Sequence, residues 1–314
     1  MLFYTGPFFH FIMNRKLITL VLLLVAAFSL KAQNANPLKA PVYYSIADAL
    51  AAKNVTQLNL RDRHYFDIPN ELDKLKGLTF INLMGNNFEH WDKVLFNQTQ
   101  LEILTLQGNV LKYIPAKVGV FKKLVSLDLA DNEITTIPDE IEKLKKLEYL
   151  YLSHNTLTSL TKKIEGCKNL KVLALDNNQL SYLPAELSNL TKLSSLHLGR
   201  NQFNEFDGEW IKLESLSELN LEYNQLQAFP EGIGELSLLK TLIADYNKLA
   251  VLPQSINKLE KLELLSLSHN SITKLPENLS GLRSLKTLIL TGNDISDPEK
   301  ERIKKALPGC SVYF

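Results

Sequence analysis

The sequence predicts an α/β solenoid of about eleven stacked units. A parallel sheet lines one side, short helical segments line the other, and a cap closes each end. Three observations predict it. Asparagines recur at Asn86, Asn109, Asn132, Asn155, Asn178, Asn201, Asn224, Asn247, Asn270 and Asn293, and every step is 23 residues. Ahead of them runs the pattern L-x-x-L-x-L-x-x-N, as in Leu124-Val-Ser-Leu127-Asp-Leu129-Ala-Asp-Asn132. Behind them comes x-I/L-x-x-I/L-P, as in Ile134-Thr-Thr-Ile137-Pro138, with prolines at 69, 115, 138, 184, 230, 253 and 276. One step before Asn86, the same apolar frame occurs in Val55-Thr-Gln-Leu58-Asn-Leu60-Arg-Asp-Arg63 and gives the eleventh unit.

Residues 1–32 read as an N-terminal extension and an export signal. Met13-Asn14-Arg15-Lys16 is basic, Leu17 to Leu30 is an apolar run of 14 residues, and Leu30-Lys31-Ala32 precedes Gln33. That is the charged, apolar, small-residue order of a secretory signal. The run falls short of the roughly 20 residues a membrane span needs. Residues 1–12 carry no charge apart from His10, which points to Met13 as the natural start. No cysteine follows the apolar run, so lipid attachment there is excluded. Cleavage before Gln33 removes Arg15, Lys16 and Lys31 and no acid, which leaves a net charge of −2.

Residues 33–54 form the expected N-terminal cap. Within them Ser45-Ile-Ala-Asp-Ala-Leu-Ala-Ala-Lys reads as a short helix with a serine N-cap. Residues 55–296 are the repeats. The L-x-L core of each alternates apolar and polar residues, which suits a strand with one face buried. The asparagine follows where the chain turns inward, and its amide must bond neighbouring backbone. The proline removes a donor and fixes φ, which predicts that it stops the strand. Each unit has room for one short outer segment, such as Ile141-Glu-Lys-Leu144. A helix is wider than a strand, so the stack must bend. Residues 297–314 form the C-terminal cap, with Asp297 expected as helix cap, Pro298 at the first helical position and a last strand over Cys310-Ser-Val312-Tyr-Phe314. No further domain is expected beyond the cap, so function is expected in the repeats or their ends.

These units resemble the leucine-rich-repeat family in its 23-residue form, over about residues 55–314, in the manner of exported bacterial members. The resemblance implies a horseshoe with parallel strands on the concave side and short helical segments on the convex side.

Charge and cysteine content narrow the partners. Lys plus Arg total 35 against 34 Asp plus Glu, which leaves no electrostatic footprint for nucleic acid or an anionic membrane. Cys167 and Cys310 are six repeats apart, on the order of 30 Å at parallel-strand spacing. A disulfide needs Cα atoms within about 7 Å, so two free thiols are expected.

Positions three, five, seven and eight of each unit flank the strand leucines and are expected on the concave face. They carry tyrosines and acids in the middle and later repeats, and the predicted partner-binding patch is Tyr149, Tyr151, Asp176, Glu222, Tyr223, Asp245 and Tyr246. Tyrosine gives large contact area with few rotors to freeze. Lysines such as Lys122, Lys123, Lys143, Lys145 and Lys146 fall on the convex segments.

Catalysis finds little support. Ser153, His154 and Asp131 mimic a hydrolytic triad, but consecutive strand residues point their side chains apart and no oxyanion loop accompanies them. His154, His197 and His269 are repeats apart, too far to share a metal. No phosphate-binding glycine loop occurs, so no cofactor or metal is expected. Asn54-Val-Thr56, Asn97-Gln-Thr99, Asn189-Leu-Thr191 and Asn278-Leu-Ser280 match the glycosylation pattern, which a repeat rich in Asn and Leu generates readily.

The expected function is a non-enzymatic, exported module, periplasmic, cell-surface or extracellular, that holds a protein or peptide on its concave face. Two alternatives use the same surface: an intracellular scaffold or regulatory protein, and a carbohydrate-binding adhesin with tyrosines as stacking platforms. Nucleic acid is not an expected partner, and no membrane insertion is expected once the signal is removed.

Overall fold

A computed structural model describes residues 39–206 and 208–314. The extension and signal read over residues 1–32 lie outside the described residues. Among the described residues, thirteen strands form one parallel sheet in sequence order. They are β1 (Val42–Tyr43), β2 (Gln57–Asn59), β3 (Phe80–Asn82), β4 (Ile103–Thr105), β5 (Ser126–Asp128), β6 (Tyr149–Tyr151), β7 (Val172–Ala174), β8 (Ser195–His197), β9 (Glu218–Asn220), β10 (Thr241–Ile243), β11 (Leu264–Ser266), β12 (Thr287–Ile289) and β13 (Ser311–Tyr313). From β2 to β12 the register pairs residues 23 apart, as in Tyr149 with Val172 and Ser195 with Glu218. These residues build a horseshoe solenoid with the sheet on its concave side.

From β2 to β12 each strand is three residues long, and its middle leucine or isoleucine points into the core. In the fourth unit Leu124, Leu127, Leu129, Ile134, Ile141 and Leu144 are all fully buried and belong to one continuous apolar core. The first and third strand residues face the concavity. Past each strand, the eighth position donates its amide to the next unit, as Arg200 to Glu222 O at 2.8 Å and Tyr223 to Asp245 O at 2.8 Å.

The asparagine ladder is present throughout. Asn132 Nδ2 donates to Leu106 O (3.0 Å), Leu129 O (3.0 Å) and Ala130 O (3.1 Å), and its Oδ1 accepts from Leu111 N (3.0 Å). One side chain thus satisfies backbone groups of two units, which explains a polar residue at the edge of an apolar core. Asn178 repeats the pattern with Leu152 O, Leu175 O, Asp176 O and Leu157 N.

The prolines do something other than stop strands. β5 ends at Asp128, well before Pro138, whose carbonyl accepts from Ile141 N at 3.1 Å and opens the 3₁₀ turn Asp139–Lys143. Prolines 69, 115, 184, 230 and 253 cap the equivalent turns. Proline's fixed φ suits the extended cap residue, and its missing amide costs nothing there. Thr161 takes the same place in its unit and adds a side-chain cap on Lys163 N.

Two α-helices close the ends. α1 (Ile46–Ala51) starts at Ser45, whose Oγ accepts from Asp48 N at 3.1 Å. α2 (Asp297–Ala306) begins one residue earlier than the sequence suggested: Ser296 is the cap, and Asp297 is free to pair with Lys300 at 3.0 Å. α2 is fixed to the tenth repeat by Glu299, which accepts from Leu275 N, and by Arg302, which donates to Leu275 O. Its Ile303 is fully buried. Both cysteines are free thiols; burial pushes Cys167 up to about 12 and Cys310 up to about 11. No helix among the described residues is long and apolar enough to cross a membrane.

Candidate functional site

The predicted patch separates into two neighbouring parts. The first lies on β6 and β7. Tyr151 is only 7% exposed, packed with Val172 and Ala174, and Tyr149 leans on that cluster. The expectation that Tyr151 stands out as an anchor is therefore corrected. Side chains of equal rank on neighbouring strands are roughly 4.8 Å apart, so the small Ala174 and the branched Val172 let the Tyr151 ring settle over them. Its hydroxyl is buried without a hydrogen-bond partner. Tyr149 remains half-buried on the concave side.

The second part gathers Asp176, Glu222, Tyr223, Asp245 and Tyr246. Its backbone is unusual. The eighth position of nearly every unit is left-handed: Asp62, Asp131, His154, Asn177, Arg200, Tyr223, Tyr246 and His269 have φ of 51–57°, and Gly85, Gly108 and Gly292 fill the same column. This conformation stacks the column into a rail along the rim of the concavity. Asp131, His154 and Asn177 form its polar half, with His154 Nδ1 3.8 Å from Asp131 Oδ1 and 3.1 Å from Asn177 Nδ2. Arg200, Tyr223, Tyr246 and His269 form its aromatic half. The Arg200 guanidinium lies 3.9 Å from the Tyr223 centroid, Tyr223 and Tyr246 stack at 4.2 Å, and Tyr246 and His269 stack at 4.3 Å. Both faces of each tyrosine ring are occupied, so neither offers a face for a sugar. What they present outward is ring edge and hydroxyl; Tyr246 is 41% exposed.

Carboxylates lie inside this rail. Asp176 Oδ1 accepts from Gly199 N at 3.0 Å and its Oδ2 accepts from Ser153 Oγ at 3.1 Å. Asp245 accepts from Ser266 Oγ and from Ser268 N. Burial and the charge of Asp245 push Glu222 above its ordinary carboxylate range, against the pull of Arg200. Burial likewise raises Asp245 despite those serine bonds.

Sequence reasoning missed one network. His197 Nε2 lies 2.7 Å from Ser195 Oγ and 3.6 Å from Glu218 Oε1, while its Nδ1 is 3.9 Å from Asp176 Oδ2. The spacing mimics a hydrolytic triad more closely than Ser153, His154 and Asp131 do. The protonation does not. Burial would lower His197, but Glu218, Asp176 and Glu222 outweigh it and raise it. A histidine stabilised in its protonated form is less available to take a proton from Ser195, and Ser195 donates to Glu218 Oε2 at 3.0 Å. Glu218, pushed up by burial, is held low by that histidine and serine. The group is a buried charge balance, with Ser195 only 3% exposed.

The comparisons with known proteins agree with this architecture. A family model described as Leucine rich repeat matches residues 99–157, 122–180, 191–249 and 237–295, which together make up more than half of the chain. The chain belongs to the leucine-rich-repeat family. No curated protein matches it in sequence. Among solved structures, an internalin (inlF) from Listeria monocytogenes is similar in fold, with 23% identity, a TM-score of 0.64, and 83% of this chain and 80% of that one covered. A chain of the octameric complex of Latrophilin 3, Unc5D and FLRT2 (LRR) shares 25% identity with a TM-score of 0.72, over 82% of this chain and 83% of the other. The LRR ectodomain of the plant membrane receptor kinase GASSHO1/SCHENGEN3 from Arabidopsis thaliana, in complex with CASPARIAN STRIP INTEGRITY FACTOR 2, shares 26% identity with a TM-score of 0.59. That match covers 78% of this chain and 33% of the ectodomain. Leucine-rich-repeat domains are often ligand- or receptor-binding modules, and no enzyme family is indicated.

Proposed function

We propose that this chain is an exported, non-enzymatic leucine-rich-repeat module that holds a protein or peptide segment on its concave face. The observation that carries the reading is the gathering of Asp176, Glu222, Tyr223, Asp245 and Tyr246 at outward positions, with the tyrosines locked in a rigid stack. Rigid aromatics lose little freedom on binding, and carboxylates beside them select and steer a partner. The complexes of the GASSHO1/SCHENGEN3 ectodomain and of FLRT2 lend support, because each joins such a domain to another protein. The reading includes an export segment over 1–32, caps over 33–54 and 297–314, and repeats over 55–296.

Two measurements test it. The exported protein should begin at Gln33 by intact mass; a cytosolic product that keeps Met13 would refute export and favour a scaffold inside the cell. Tagged protein should capture a partner that is lost on Tyr223→Ala with Tyr246→Ala and kept on Lys145→Glu. Loss with the convex change alone would overturn the concave assignment.

A further inference from the structure

We infer that the concave face between β7 and β10 takes an arginine side chain of an extended, basic partner segment. The inference rests on the concave-face reading above and specifies what that face selects. It starts from Gly199. A Cβ built there would lie 3.0 Å from Asp176 Oδ1 and 3.0 Å from Glu222 Cγ. A side chain there would press on both, so glycine gives these two acidic side chains room to lean towards one another. They converge over bare backbone, with Asp245 one unit further on.

The convergence leaves charge unbalanced. His197 answers Glu218 and Asp176 within the buried network. Arg200 acts on Glu222 but is drawn towards the rail, over Tyr223. Two partly buried carboxylates remain with raised proton affinity: Glu222 from burial and the charge of Asp245, and Asp245 from burial, which outweighs its serine bonds and His269. An incoming cation relieves both.

The carboxylates decide which cation fits. Arg200 is the internal example: its guanidinium lies over Tyr223 while its charge acts on Glu222. A guanidinium is planar and weakly hydrated, and it pairs with carboxylates along two edges, whereas an ammonium is a compact, strongly hydrated point charge. The faces of Tyr223 and Tyr246 are already taken, so the choice falls to the carboxylates, whose neighbouring oxygens suit a group that pairs along two edges. The occupant must lie across the strands, because this part of the sheet has paired strands on both sides and no free edge to extend.

The probe is a fluorescein-labelled (Arg-Gly)4 peptide, compared with (Lys-Gly)4 and (Asp-Gly)4 by anisotropy on the purified protein at low salt. The arginine peptide should bind at least tenfold more tightly than the lysine peptide, and the acidic peptide should not bind. Glu222→Gln should weaken the arginine peptide about tenfold, Gly199→Val should do so by blocking the space, and convex Glu260→Gln should change nothing. Melting curves confirm that each variant is folded; if Gly199→Val unfolds, Glu222→Gln decides. Equal binding of arginine and lysine peptides overturns the guanidinium assignment, as does insensitivity to Glu222→Gln or no binding at all. Calcium protecting Glu222 in place of the peptide also overturns it. A partner captured on the tyrosine rail that is acidic or neutral would leave the proposed function standing and sink this inference alone.

Discussion

The rings of Tyr223 and Tyr246 are stacked, their planes 7° from parallel and their centroids 4.2 Å apart, although 23 residues separate them. The stack exists because both residues hold left-handed backbone, φ 51° and 54°. That conformation costs an L side chain about 1–2 kcal/mol, and a stacked aromatic pair returns about 0.5–1.5 kcal/mol. The two nearly cancel. Tyr246→Gly loses two stacks, on Tyr223 and on His269, and sheds the strain, so it should shift unfolding in urea by less than about 2 kcal/mol. A cost above about 2 kcal/mol would mean that the rail supports the fold rather than a partner.

The asparagine ladder predicts the opposite behaviour. Asn178→Ala leaves the Leu157 amide without its acceptor and takes one donor each from the Leu152, Leu175 and Asp176 carbonyls, which keep bonds from Asn155, Asn201 and His154. A loss of about 1–3 kcal/mol is expected for buried groups left without partners. Leu175→Ala, in the fully buried row, should cost about 2–5 kcal/mol. An Asn178→Ala protein that melts like the parent would refute the ladder's energetic role.

What the sequence made legible follows from what repeats. Leucine and asparagine rows recur every 23 residues, so one unit read correctly places all of them, along with the outward columns. What stayed hidden depends on lateral neighbours. Tyr151 is covered because Val172 and Ala174 happen to stand on the next strand. The Ser195–His197–Glu218 network joins two different columns across two strands. The left-handed column did leave a signal: Gly85, Gly108 and Gly292 alternate there with Asp62, Asp131 and Asn177, residues that tolerate positive φ. Tyrosines and histidines at the same rank masked it.

His197 and Glu218 predict a pH window. His197 is raised, so its contribution is full below the ordinary histidine value and fades as pH rises through its folded value. Glu218 is lowered, so its contribution is full above the ordinary glutamate value and fades as pH falls through its folded value. Both act together between the ordinary glutamate and histidine values. His197→Gln should depress Tm most there, and the gap to the parent should narrow at more alkaline and more acidic pH. A gap that stays flat from about pH 3 to pH 9 would contradict the charge balance.

Tyr151 also changes how the face should be dissected. Because its ring is packed with Val172 and Ala174, Tyr151→Ala should destabilise, by about 3 kcal/mol on the scale of buried aromatic truncations. A binding defect in that variant would then reflect fold as well as contact. Tyr151→Phe is the sharper change: it removes a buried hydroxyl that has no partner, and it should leave Tm equal or higher.

Glu222 joins the stability and binding arguments in one variant. Its folded proton affinity is raised by burial and by Asp245. A group raised in this way contributes stability below its ordinary value, and that contribution is lost as pH rises through its folded value. At neutral pH its charge therefore works against the fold, and Glu222→Gln should raise Tm there while giving no gain in acid. The same substitution removes the carboxylate that faces the concavity, so it should slow association with a basic partner and flatten the salt dependence of that rate. Lys145→Glu, an exposed convex change, should leave both quantities unchanged. A protein that becomes more stable and binds less well is the signature of a charge kept for a partner. If Glu222→Gln binds as well as the parent, or lowers Tm at neutral pH, the carboxylate belongs to the fold and the binding face must be sought elsewhere on the rail.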